Sequence, residues 1–180
     1  MGDIRTFWDW LVANLARLDE DEVQEALAQR LKELGVSGWE MGGGETDRFL
    51  ALSIGSADEL ARARAILADA PNMPGWRFLA GKPRKDWFGY FTWNGVEIDA
   101  SAWRCVVFAY DDGMAEIVFI DPAIPDPLKD ATQQILEFVV ESELGQLRAL
   151  EKVCGVAAES VSDEVRAEDA IPVLRLSAAL

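Results

Sequence analysis

An α+β fold is what this sequence predicts, and three observations carry the prediction. Apolar residues recur at the helical period through much of the first seventy positions. A β-prone middle is punctuated by Asn94-Gly95 and Asp112-Gly113, and Asp126-Pro127 opens a further helix. The expected architecture is a largely antiparallel sheet, a β meander, with helices packed mainly on one face.

Ile4, Phe7, Trp8, Leu11, Leu15 and Leu18 line one face of the first helix. Thr6 with Asp9 forms a capping-box variant at its start, with Asp3 as a competing cap. A second helix starts near Asp19, which with Glu22 reads as cap and N3. Val23, Leu27, Leu31 and Leu34 make its stripe and Gly35 its stop. The acidic run Asp19 to Glu22 suits the positive end of the helix dipole. Strands are expected at Ser37–Met41 and Arg48–Ile54, with Gly42, Gly43 and Gly44 in a flexible hairpin loop between them. Ser56-Ala57-Asp58-Glu59 is a capping box for a third helix through Leu60, Ile66 and Leu67, ended by Pro71 and Pro74. Gly75 to Leu79 is a further strand.

The two Gly-containing dipeptides read as two-residue hairpins joining strands Phe88–Trp93, Val96–Asp99, Trp103–Tyr110 and Met114–Asp121. Trp103–Tyr110 is apolar on both faces except at Arg104, which places it centrally. Asp126 as cap and Pro127 at N1 start a long helix with Leu128, Ile135, Phe138 and Val139 in its core face. Val153–Val161 reads as a strand and Ile171–Leu180 as a short amphipathic helix. One domain over 1–180 is expected, with possible halves at 1–80 and 81–180.

Composition restricts the chemistry. Half the residues are hydrophobic, enough for a core without disulfide or metal staples. Cys105 and Cys154 share no motif, and Cys105 in its apolar run reads as a small hydrophobe. There is no histidine, so Ser-His-Asp, Cys-His, HExxH and His/Cys zinc chemistry are excluded. The net charge of −15 opposes nucleic acid and anionic membrane and suits a basic protein partner. No apolar run approaches the ~18 residues of a membrane span, and Asp3 precedes any apolar accumulation, so a cytoplasmic location is expected.

Two segments carry a resemblance. Phe7-Trp8-Asp9-Trp10 with Asn14 gives an FW-x-W…N pattern. Ala70-Pro71 and Pro74-Gly75-Trp76-Arg77-Phe78 through Ala80 to Pro83 give an AP-x-x-PGW-x-F-x-A-x-x-P pattern. In these, and in the spacing of the middle strands, about two-thirds of the chain resembles a family of small bacterial α+β proteins with no established activity. The resemblance implies no catalytic residue.

Other constellations favour bland readings. The triple glycine lacks the Lys-Ser/Thr of a phosphate loop and lies between strands. Asp111-Asp112-Gly113 is a turn and lacks the alternate ligands and closing Glu of a calcium loop. Glu40, Glu97, Asp99 and Glu116 would hold a divalent cation only if the fold gathered them. Trp8, Trp39, Trp76 and Trp103 read as core, and Trp10 projects off the first stripe.

One stretch is cationic and aromatic. From Arg77 through Lys82, Arg84 and Lys85 to Trp87 its only acid is Asp86, and Lys82–Phe88 reads as a long loop rising off the sheet. Lys82, Arg84, Lys85, Trp87 and Trp93 are the candidate binding residues, unless the loop's charges pair with acids of the same chain. The expected function is a non-catalytic, acidic, cytosolic protein-binding or regulatory module without a cofactor or metal. The alternatives are a small-ligand binder or enzyme with a carboxylate/Arg pocket, and a homo-oligomer.

Overall fold

The structure is a computed structural model that describes residues 3–44, 46–161 and 165–180. The class is α+β. The chain divides into two compact units, Met1–Pro83 and Arg84–Leu180.

In the first unit, helix α1 (Ile4–Asn14) is capped by Asp3, which accepts from the Arg5 amide and the Thr6 hydroxyl. Thr6 therefore supports the Asp3 cap and forms no box with Asp9. Helix α2 (Asp21–Glu33) starts one residue later than the sequence suggests. Asp19 is drawn away by Arg48 at 2.7 Å, and Glu20 takes the cap position without a capping bond. Its C-terminus closes as expected, with Gly35 at φ +77° and the Val36 amide donating to the Leu31 carbonyl. Leu11, Leu18, Leu27 and Leu31 are fully buried, each contributing ~1.5–3 kcal/mol.

Strands β1 (Trp39–Gly44) and β2 (Asp47–Leu52) pair antiparallel. The three glycines lie in β1 itself, correcting their placement in a flexible loop. Gly42 sits opposite Phe49, whose ring would lie 2.7 Å from any Cβ at that position. Ser56 caps α3 (Ala57–Leu67), accepting from the Glu59 amide while Glu59 accepts from the Gly55 amide. Strand β3 (Trp76–Ala80) then pairs parallel with β2, giving the order β1-β2-β3.

In the second unit, β4 (Tyr90–Trp93) and β5 (Val96–Asp99) form a two-stranded ribbon. Asn94 and Gly95 both take positive φ, as a two-residue turn of the mirror type requires. Strands β6 (Arg104–Ala109) and β7 (Ala115–Ile120) form a second hairpin. Its connection is longer than two residues: the Gly113 amide donates to Tyr110, Tyr110 donates to Met114, and only Gly113 is left-handed. The expected four-strand meander is thus two hairpins in separate sheets, because the chain from Ala100 to Trp103 turns and does not pair β5 with β6.

The expected long helix is also divided. Pro125 takes the cap position, Asp126–Ala131 winds as a 3-10 turn, and α4 (Thr132–Leu144) follows. Gly145, at φ +79°, breaks it from α5 (Gln146–Lys152). Strand β8 (Val153–Glu159) returns parallel to β7. The expected terminal helix begins as a two-residue strand, β9 (Ile171–Pro172), beside β6 and ends as α6 (Leu176–Ala179). The four-stranded order is β8-β7-β6-β9, so β6 is internal, and Cys105, Ile117, Phe119, Ile135, Leu136 and Val139 are its buried centre.

Candidate functional site

The cationic, aromatic stretch lies at the start of the second unit and is held down by α4. Its polypeptide is fixed by the Lys85 amide, which donates to the Ser142 carbonyl at 2.9 Å. The Trp87 indole N–H donates to Glu143 Oε1 at 2.6 Å, and the Arg84 guanidinium lies 3.5 Å from Glu143 Oε2. Glu143 is 1% exposed. A carboxylate removed from water to that degree depends on such partners, and losing the Trp87 donor costs ~1.5–3 kcal/mol. Lys85 Nζ sits 5.0 Å over the ring of Phe138.

Phe138 is the hub of this arrangement. Phe91, Trp93 and Trp87 place their ring centroids 5.0, 5.6 and 6.3 Å from its own, and Trp87 also meets Phe91 at 5.7 Å. Strand alternation explains the inward set: Phe91 and Trp93 of β4 and Val96 and Ile98 of β5 share the face toward the core. Each aromatic pair adds ~0.5–1.5 kcal/mol beyond area burial.

The five residues singled out from sequence therefore separate into roles. Lys82 is half-buried at the end of the first unit. Arg84, Lys85 and Trp87 converge on the C-terminal half of α4, and Trp93 joins the Phe138 cluster. The segment does not rise off the sheet; it lies against the helix through these bonds. Trp87 and Trp93 are half-buried and turned inward. What faces solvent is Phe88, 80% exposed, and Tyr90, 63% exposed. These two were not singled out by sequence reasoning. The period-2 alternation of β4 could have marked Tyr90, and Gly89 before it, at φ +84°, could have marked the turn that releases Phe88. Gly89 is obligatory there, since a Cβ would lie 2.7 Å from the Ser101 amide nitrogen.

Glu143 was missed too. Its signal was its register, seven, four and three residues after the buried Leu136, Val139 and Val140, an apolar position filled by an acid.

The remaining candidates disperse. Trp8 and Trp103 are core, as expected. Trp39 and Trp76 are only half-buried, because β1 and β3 are the two edges of their sheet. Trp76 lies under the Arg48 guanidinium at 4.8 Å, and Trp10 under that of Arg30 at 4.6 Å. Arg77 is taken by Asp47 through two hydrogen bonds. Glu116 accepts from the Tyr110 hydroxyl and Asp112 from the Met114 amide. Among the described residues no three acids or cysteines converge where they could hold a metal. Burial, with a smaller effect of the Glu143 charge, pushes the Cys105 thiol up to about 12, so it is inert at neutral pH.

The first unit has its own groove, about 880 Å3, between α2 and the chain from Gly35 to Trp39. Its lining includes the charged residues Glu25 and Lys32. No helix of the described residues is long and apolar enough to cross a membrane. No family model, no curated protein and no solved structure matches the chain.

Proposed function

We propose that the protein is a non-catalytic recognition module whose contact surface is the segment Arg84 to Trp93. The observation that carries this reading is a division of labour within ten residues. Trp87, Phe91 and Trp93 are pinned to α4 through Glu143 and Phe138, and Phe88 and Tyr90 are held out in water between them. Two large aromatics exposed beside residues bonded to α4 are useful to a binder, because aromatic anchors on a pre-ordered segment lose little entropy on association. The chain's net charge of −15 favours encounter with a basic protein.

Photo-crosslinking tests the reading. A benzophenone side chain is placed at position 88 or 90, and for comparison at Val12, an exposed apolar residue of α1. In lysate of the source cells, adducts with a discrete protein are expected at 88 and 90, competed by the unlabelled chain and absent at 12. Adducts indistinguishable among the three positions would remove the basis for this surface.

A further inference from the structure

The outer face of the β4–β5 ribbon carries a chemistry of its own. Opposite the inward aromatics, Tyr90 and Thr92 alternate outward on β4 and Glu97 and Asp99 on β5. They form the cross-strand pairs Tyr90–Asp99 and Thr92–Glu97 and line a depression of about 530 Å3. Asp99 is oriented: Ser101 donates to its Oδ1 through the amide at 2.8 Å and through the hydroxyl at 2.5 Å. The Ser101 hydroxyl first, then its amide, and to a lesser degree Tyr90, lower the pKa of the Asp99 carboxyl from its ordinary value. Carboxylates beside a phenol ring make a surface for an ammonium or guanidinium group, through charge-assisted hydrogen bonds and cation–π contact.

Building on the recognition reading above, we propose that this face seats an extended segment of a protein partner bearing Arg or Lys at alternate positions. The spacing suits an extended ligand. Glu97 and Asp99 lie two residues apart on one strand, roughly 6.6 Å of rise, which is the repeat at which an extended chain presents every second side chain to one side. Sign selects its chemistry. Phosphate groups are repelled, and a second copy would set these carboxylates against a chain of net charge −15. Phe88, exposed just before β4, adds an apolar contact for the same segment.

The test is an NMR titration of the full chain with a synthetic peptide of alternating Arg and Ser, and with the same peptide carrying citrulline for Arg. Saturable shifts confined to residues 88–101 are expected with Arg and none with citrulline. Glu97→Gln/Asp99→Asn should weaken binding at least tenfold; Asn keeps the acceptor for Ser101. Glu22→Gln/Asp58→Asn removes the same charge from α2 and α3 and should change binding less than twofold. Diffuse shifts over the whole acidic surface, or equal weakening by both double variants, overturn the proposal. Crosslinked partner at position 88 with no Arg-peptide shifts at 88–101 would defeat this proposal alone and leave the recognition reading standing. A dimer in light scattering that Tyr90→Asp dissociates would assign the face to a second copy and likewise overturn it.

Discussion

The two units thread their chain alike and dress it differently. In the first, the hairpin β1–β2 leads into α3 and then into β3, parallel to β2. In the second, the hairpin β6–β7 leads into α4 and α5 and then into β8, parallel to β7. In α3 the buried residues are Leu60, Ala63 and Ile66, one stripe. In α4 they extend to Ser142, Glu143 and Leu144, and Phe138 packs under the β4–β5 ribbon, an element without a counterpart among the described residues of the first unit. The shared connectivity makes a stable scaffold. The added ribbon gives the second unit a covered helix, a buried acid and an outward pair of aromatics, so the candidate surface sits on the part that differs.

Substitutions can break this contrast. The largest effect is expected for Trp87→Ala, which removes a ring from the Phe138 cluster and the indole donor to buried Glu143. It should destabilise by ~3–5 kcal/mol in urea unfolding. Trp76→Ala on edge strand β3 loses a stacked Phe78 and the Arg48 contact and should cost ~1–2 kcal/mol. Equal losses would mean that Glu143 adds nothing to the second unit. Trp87→Phe keeps a ring without the donor and should fall between them, at ~1.5–3 kcal/mol.

The first unit has a glycine as constrained as Gly89. Gly43 sits at φ +93°, and a Cβ there would lie 2.0 Å from the Asp47 carbonyl oxygen. Gly43→Ala should cost at least ~1–3 kcal/mol from backbone conformation. Ser56→Ala, which removes the α3 cap, should cost ~1 kcal/mol by the same measurement. Both values belong to the first unit's framework, and neither change should alter peptide shifts at residues 88–101.

The smallest effect concerns reactivity. Cys154 is exposed and Cys105 buried with its thiol raised to about 12. One equivalent of thiol should react with Ellman's reagent in native buffer and the second only on unfolding. Fast reaction of both would contradict the packing of β6.

Local signals in the sequence were reliable where a single stretch decides the outcome. Asn94-Gly95, the Ser56–Glu59 box and the Gly35 stop each set their own turn or cap, and the stripes of α1 and α2 locate their cores. What was not legible depends on distant partners. Asp19 is claimed by Arg48, and Gly42 is drawn into β1 by the ring of Phe49 across the strand pair. The split of the expected meander has the same origin, since the edge of β6 away from β7 pairs with β9, far along the chain, and not with β5. At the candidate site, composition singled out Lys82, Arg84, Lys85, Trp87 and Trp93 and read Lys82–Phe88 as a loop rising off the sheet, whereas the chain lies against α4. The tryptophans face inward because Glu143 and Phe138, some fifty residues later, receive them.

That orientation is the central claim, and hydroxyl-radical footprinting measures it directly. With each residue's oxidation rate normalised to the urea-unfolded chain, Phe88 and Tyr90 should be close to unprotected and Trp87 and Trp93 several-fold slower. Strong protection of Phe88 in the free protein, or Trp87 oxidised as readily as Phe88, would contradict a segment pinned by its tryptophans and read by its exposed aromatics.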